Sequence, residues 1–193
     1  MPPMQQPLSS STDSRTCAAG FTLLELLVTV AVAGILVAIA VPAMNNFIQN
    51  DRDATQINSL VASFNYARSE AVKRNTSVGV QVCPSSNGSA CNAAAVWSQG
   101  WLVFYMDPTD IAPLLQSVPA LAGSNVLSAS GGGATGITFK STGGVSAAST
   151  TKIKICDTRG GAFARDVEVS VVGNITASQN PGFDANGVAL ACP

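Results

Sequence analysis

The sequence predicts an α+β protein: a long N-terminal helix, membrane-spanning in its first half, whose second half packs on a C-terminal antiparallel β-sheet head. Three observations carry this expectation. Leu26 to Met44 (LLVTVAVAGILVAIAVPAM) is a run of 19 residues without a charge. Asn45 to Arg74 contains neither Gly nor Pro and repeats apolar residues at spacings of three and four. From Thr76 onward, short β-type runs are separated by Gly, Ser and Asn. The expected divisions are residues 1–20, a leader; 21–44, the membrane half of the helix; 45–75, its amphipathic half; and 76–193, the β head.

Composition agrees and excludes several activities. The chain has 193 residues, a net charge of -1, 11% charged residues against 47% apolar ones, and no histidine. A soluble domain carries about 25% charged residues, so the shortfall points to a membrane segment joined to a polar domain. Without histidine there is no Ser-His-Asp or Cys-His nucleophile arrangement, no two-histidine zinc helix, and no base that titrates near neutral pH unshifted. A net charge near zero also argues against strong electrostatic capture of nucleic acid by the whole molecule.

Residues 1–20 are polar and Pro/Ser/Thr-rich, with Asp13 and Arg15 the only charges, and read as disordered. The apolar run that follows rises ~1.5 Å per residue as a helix, enough for a bilayer core of about 30 Å. An ordinary secretory signal is the bland alternative, and Ala38-Ile39-Ala40 offers it a small-x-small cut. The run is too long for that role, the leader lacks a basic region, and Glu25 sits inside the apolar stretch. A carboxylate beside a membrane helix costs ~2.5–3.5 kcal/mol on insertion scales, so Glu25 needs either headgroup exposure or a partner. A cut after Gly20 would supply one, an ammonium on Phe21 four residues away, and the acid also suits the positive helix N-terminus.

The stretch Gly20-Phe21-Thr22-Leu23-Leu24-Glu25-Leu26-Leu27-Val28 resembles the type III signal of type IV pilins and type II secretion pseudopilins. The resemblance implies a pilin-like fold, cleavage between Gly20 and Phe21 by a prepilin peptidase, and N-methylation of Phe21 by the same enzyme. It also implies that Glu25 pairs with the N-terminal amine of a neighbouring subunit and sets the register of the growing fibre, and that Pro42 belongs to the assembly helix. The implied location is the bacterial inner membrane, single-pass with the head in the periplasm, and then a fibre. The leader departs from the pattern in lacking the Lys or Arg usually found near the cut.

In the amphipathic half, Phe47, Ile48, Ile57, Leu60, Val61, Phe64, Ala67, Ala71 and Val72 form one stripe, with Asp51, Arg52, Asp53, Gln56, Ser59, Asn65, Arg68 and Lys73 expected mostly elsewhere. A coiled coil would need more clean heptads and a sustained e/g charge pattern. Pro42 removes one helical hydrogen bond, so a bend or local melting over Ala38 to Pro42 is expected.

In the head, strands are expected at Val78 to Cys83, Trp101 to Met106, Gly136 to Phe139, Lys152 to Cys156, Val167 to Val172 and Val188 to Cys192, forming an antiparallel sheet. Ile153 and Ile155 alternate with Lys152 and Lys154, and Val167, Val169 and Val171 with Glu168 and Ser170, giving one buried and one wet face. Ala120 to Ala134 and Ser141 to Thr151 read as mobile loops. Gly131, Gly133 and Gly136 satisfy G-x-G-x-x-G, but a strand and not a helix follows, so no dinucleotide site is expected. Trp97 and Trp101 are expected in the core.

Removing the leader removes Cys17 and leaves Cys83, Cys91, Cys156 and Cys192, an even set whose spacings do not match a zinc site. No metal is expected. In an oxidising periplasm three pairings are open; Cys83-Cys91 with Cys156-Cys192 is favoured, the first closing a Ser/Asn/Gly loop and the second tying the C-terminus to a strand.

Phe64-Asn65-Tyr66-Ala67-Arg68-Ser69-Glu70-Ala71-Val72-Lys73-Arg74-Asn75, Val82-Cys83-Pro84-Ser85-Ser86-Asn87-Gly88 and Trp97-Ser98-Gln99-Gly100-Trp101-Leu102-Val103-Phe104 together resemble the GspH/FimT group of minor pilins and pseudopilins. The resemblance implies a minor pilin of a type IV pilus that primes the fibre or sits at its tip, with a type II secretion pseudopilin as the alternative; the Cys-Pro-Ser-Ser loop and four head cysteines tilt it to the pilus. Implied partners are other minor and major pilins or pseudopilins, the prepilin peptidase, the inner-membrane assembly platform and membrane lipid. No enzyme activity and no cofactor are implied. Some FimT-type pilins capture DNA with Gly-Arg-x-Arg; the corresponding Gly173-Asn174-Ile175-Thr176 lacks both arginines. Lys152, Lys154, Arg159 and Arg165 could form a basic strip, but Asp157, Asp166 and Glu168 interleave with them, so DNA is not the favoured partner.

Overall fold

The computed structural model describes residues 20–75, 77–107 and 113–192. The leader with Asp13, Arg15 and Cys17 lies, apart from Gly20, outside the described residues. Helix α1 spans Leu23–Arg74, 52 residues. Eight strands follow: β1 Val80–Pro84, β2 Trp101–Tyr105, β3 Leu114–Val118, β4 Val126–Gly131, β5 Ile137–Phe139, β6 Thr151–Cys156, β7 Arg165–Val169 and β8 Ile175–Ala177. The chain divides into two compact units, Met1–Asn45 and Asn46–Pro193.

In the first unit, every described side chain is exposed. The segment is built from Leu, Val, Ile and Ala, and no polar face interrupts it until Asn45. The local melting expected over Ala38 to Pro42 does not occur: α1 is helical straight through Pro42. The fixed φ of proline suits a helix, and the one N–H it lacks is outweighed by the bonds of the flanking turns.

In the second unit, α1 buries Ile57, Leu60, Phe64, Ala67 and Ala71, a stripe at spacings of three and four. Phe47, Ile48 and Val72 fall outside that stripe and stay exposed. Asp53 and Gln56, expected on the polar side, are buried with the stripe because each has a polar partner in the head. The helix ends at Asn75, which adopts φ 49° while its N–H donates to Ala71 O at 3.2 Å, a left-handed stop that asparagine tolerates.

The head holds two four-stranded antiparallel sheets, where one sheet was expected. Their strand orders are β3-β2-β1-β5 and β4-β6-β7-β8. Three strands were missed: β3, β8, and β4 inside the stretch read as a loop. Ser, Ala and Gly in β4 have weak strand preference, but β4 pairs with β6 along its whole length, from Val126 opposite Cys156 to Gly131 opposite Thr151. Conversely, Val188 to Cys192 is not a strand. Ala189 makes one isolated bridge to Phe183, and Leu190 N–H donates to Gly182 O at 2.8 Å.

The core gathers Leu60 and Phe64 from α1, Val80 and Val82 from β1, Trp101 and Val103 from β2, Ile137 and Phe139 from β5, and Ile153, Ile155, Val167 and Val169 from the second sheet. Burying one such side chain is worth ~1.5–3 kcal/mol. Trp97 meets Phe64 edge-on with centroids 6.1 Å apart. Trp101 Nε1 donates to Ser63 Oγ at 3.0 Å, so the buried indole keeps a partner. Gly100, before β2, has φ 112°, and a Cβ there would stand 2.5 Å from Val118 O; only glycine fits this crossing.

Candidate functional site

At the start of α1, Thr22 Oγ1 accepts the Glu25 backbone N–H at 3.2 Å, and the Leu26 N–H donates to Thr22 O at 3.1 Å. Thr22 is thus the N-cap, and Glu25 stands where a capping-box acid would. Its carboxylate is exposed and has no side-chain partner among the described residues. Phe21, beside the cut expected after Gly20, is 78% exposed. A charge and a row of large apolar side chains, all unpaired, cannot be the final state in water. One helix in the described residues, α1, is long and apolar enough to cross a membrane. The geometry offers a carboxylate acceptor at one end of an apolar rod, suited to an ammonium brought from outside the chain.

The head side of α1 is fixed by a buried polar hub that sequence reasoning missed. Arg159, from the turn after β6, reaches Asp53 through Nη2 at 3.1 Å, Asn50 Oδ1 at 2.8 Å and Asn46 O at 3.3 Å through Nη1, and Asp157 through Nε at 2.6 Å. Its guanidinium lies 4.3 Å above the Phe163 ring. Asp53 also accepts Asn125 Nδ2 at 2.7 Å, which is shared with Gln56 Oε1 at 2.6 Å, and Gln56 Nε2 in turn donates to Ala122 O. Burial pushes the Asp53 carboxyl above the usual range, with Asn125 and Arg159 opposing it. Only the dense Asp51-Arg52-Asp53 cluster in an otherwise charge-poor chain hinted at this hub.

The four basic candidates do not form a free strip. Lys152 pairs with Asp184 at 2.9 Å and Glu168 at 3.4 Å, and the Asp184 bond holds its ammonium above its ordinary range. Lys154 donates to Ala191 O. Arg159 is consumed in the hub, while Arg165 is half-buried on β7. Asp184 accepts the Val188 and Asn186 amides, and Val188 first, then Lys152, holds its carboxyl below the usual range. Disulfides join Cys83 to Cys91 and Cys156 to Cys192. No group of His, Cys, Asp and Glu able to hold a metal occurs among the described residues.

Residues 56–173 match the family model of the type II transport protein GspH, and residues 15–41 match the prokaryotic N-terminal methylation motif. No curated protein matches the chain by sequence. Two crystal forms of the type IV minor pilin FimU from Pseudomonas aeruginosa are similar in fold. One gives a TM-score of 0.52 at 19% identity, over 69% of this chain and 98% of FimU; the other gives 0.51 at 18%, over 65% and 91%.

Proposed function

The chain belongs to the GspH family of pilin-like proteins and carries their N-terminal methylation motif, and from that premise we propose that it is a minor pilin of a type IV pilus, priming the fibre or standing at its tip. It is a structural subunit and not an enzyme. Prepilin peptidase cuts between Gly20 and Phe21 and methylates the new terminus; the apolar half of α1 holds the subunit in the inner membrane until the assembly platform passes it into a fibre with other pilins.

The observation that carries this reading is Glu25: a carboxylate on an otherwise uncharged stretch of α1, its amide already capped by Thr22 and its side chain unpaired among the described residues. An ammonium on Phe21 of a neighbouring subunit neutralises it and fixes the axial register of the two rods. The Cys83–Cys91 loop with its Cys-Pro-Ser-Ser start favours the pilus over the second reading, a type II secretion pseudopilin. With three of the four basic candidates engaged inside the head, DNA capture gains no support.

Mass spectrometry of fibres sheared from the host surface tests the assignment. A peptide beginning at N-methylated Phe21 in that fraction is expected. The processed form found only in the membrane, with major pilin abundant in the sheared material, transfers the protein to the secretion pseudopilus. An unprocessed chain overturns both readings.

A further inference from the structure

The face of the second sheet that turns away from the core is largely roofed by the chain's own C-terminal segment. Ile153, Ile155, Val167 and Val169 point into the core, so Lys152, Lys154, Asp166 and Glu168 point the other way. Strand register sets Ser128, Lys154 and Asp166 in one cross-strand row and Ser130, Lys152 and Glu168 in the next. Over these rows run residues 178–192, anchored by Ser178 N–H to Asp166 O, Gly182 N–H to Ala164 O, Asp184 to Lys152, Ala191 O to Lys154, and the Cys156–Cys192 disulfide.

Under this roof Asp166 is 1% exposed, and neither carboxylate oxygen has a hydrogen-bond partner among the described residues. Ser178 stands nearby with its hydroxyl accepting the Asp166 amide, but it completes no bond to the carboxylate. Buried polar atoms are nearly always satisfied, and two orphaned oxygens on one side chain call for a donor from outside. Asp166 sits in the wall of a pocket of about 230 Å³, lined also by Ser128, Ala129, Ser130, Lys152, Lys154 and Leu190. That is below the ~300–1,000 Å³ of sites for drug-sized ligands.

The lining selects the ligand by chemistry. An anion would face the buried carboxylate. A divalent cation would find one carboxylate, two hydroxyls and two ammonium groups, a poor oxygen cage. An apolar group would leave the Asp166 oxygens unpaired at full desolvation cost. A compact ring bearing several hydroxyls suits every group: hydroxyls donate in pairs to a carboxylate, accept from lysine, do either with serine, and leave a carbon face for Leu190. We propose that the pocket formed by Asp166, Ser128, Ser130, Lys152 and Lys154 binds a single sugar ring, with two neighbouring hydroxyls donating to the Asp166 carboxylate.

The ring can be a free monosaccharide or the end residue of a glycan. Saturation-transfer NMR on the full chain, held in a detergent without a sugar headgroup, distinguishes them using glucose, galactose, mannose and N-acetylglucosamine beside their methyl glycosides at millimolar concentration. Transfer to free sugars alone identifies a soluble ligand, and transfer to the glycosides as well identifies a glycan end. Asp166→Asn keeps the shape and removes the charged acceptor; it is expected to weaken the response roughly tenfold, and Ser128→Ala to weaken it less. Ser128→Ala, exchanging a half-buried side chain, serves as the folded control if Asp166→Asn misfolds. No transfer to any sugar overturns the proposal. So does transfer that neither variant alters, or a response to calcium or methylammonium in place of sugars.

Discussion

Arg159 Nη2 lies 3.1 Å from Asp53 Oδ2, joining the turn after β6 to helix α1 across 106 residues of sequence. Both side chains are nearly enclosed, 12% and 3% exposed. A buried pair of this kind adds little over a well-packed apolar pair, yet removing one partner strands the other charge.

Replacing Arg159 with Ala is therefore expected to destabilise the head by ~3–5 kcal/mol, and Asp53→Ala by a similar amount. The double variant should cost clearly less than the sum. Urea denaturation of the four proteins in the cycle measures this; additive losses would show that the pair is uncoupled.

Asp166 predicts an unusual pH dependence. Burial, with Asp184 adding to it, pushes the Asp166 carboxyl above its ordinary range, while the Lys152 charge pulls the other way and Glu168 adds a small upward push. A carboxyl raised on folding binds its proton more tightly in the native state, so it contributes stability at low pH that is lost as pH rises through the folded value. Asp166→Asn escapes that loss. The variant should be more stable than the parent at neutral pH, and the gap should close on acidification toward the ordinary carboxylate range. An unchanged gap, followed by denaturation at both pH values, would refute it.

The two disulfides should differ in worth. Cys83 and Cys91 are 8 residues apart, Cys156 and Cys192 are 36. Chain entropy assigns roughly 2.5 kcal/mol to the shorter loop and roughly 4 to the longer. Paired serine substitutions should reproduce that order in thermal melts, with the 156/192 variant the weaker protein.

Glu25→Ala should leave the chain inserted and processed but absent from fibres, because α1 keeps its Thr22 cap and its apolar surface. Gly20→Ser should leave the leader attached. Immunoblots of membrane and sheared fractions separate the two; normal incorporation of Glu25→Ala would sink register pairing.

The helix, its burial stripe and five of the eight strands were legible because period 3.6 and period 2 patterns are local. β4 was not, since Val126 to Gly131 has neither bulk nor alternation and is a strand only because β6 lies beside it. The placement of Asp53 and Gln56 was equally hidden: their partners, Arg159 and Asn125, are distant in sequence. Glu25 stood out early because a lone charge in an apolar run is conspicuous without any tertiary knowledge. Asp166 did not, because only the roof formed by residues 178–192 distinguishes it from an ordinary surface acid.

The unequal spacing of the cysteines also has a consequence in time. A chain crossing a membrane from N to C delivers Cys83 and Cys91 together, well before Cys156, and Cys192 last of the four. If the neighbours close on arrival, the order of emergence alone eliminates two of the three pairings, and Cys156 waits as a single thiol with one destination. The roof over the second sheet is then the last part of the head to be sealed, after both sheets have had time to form.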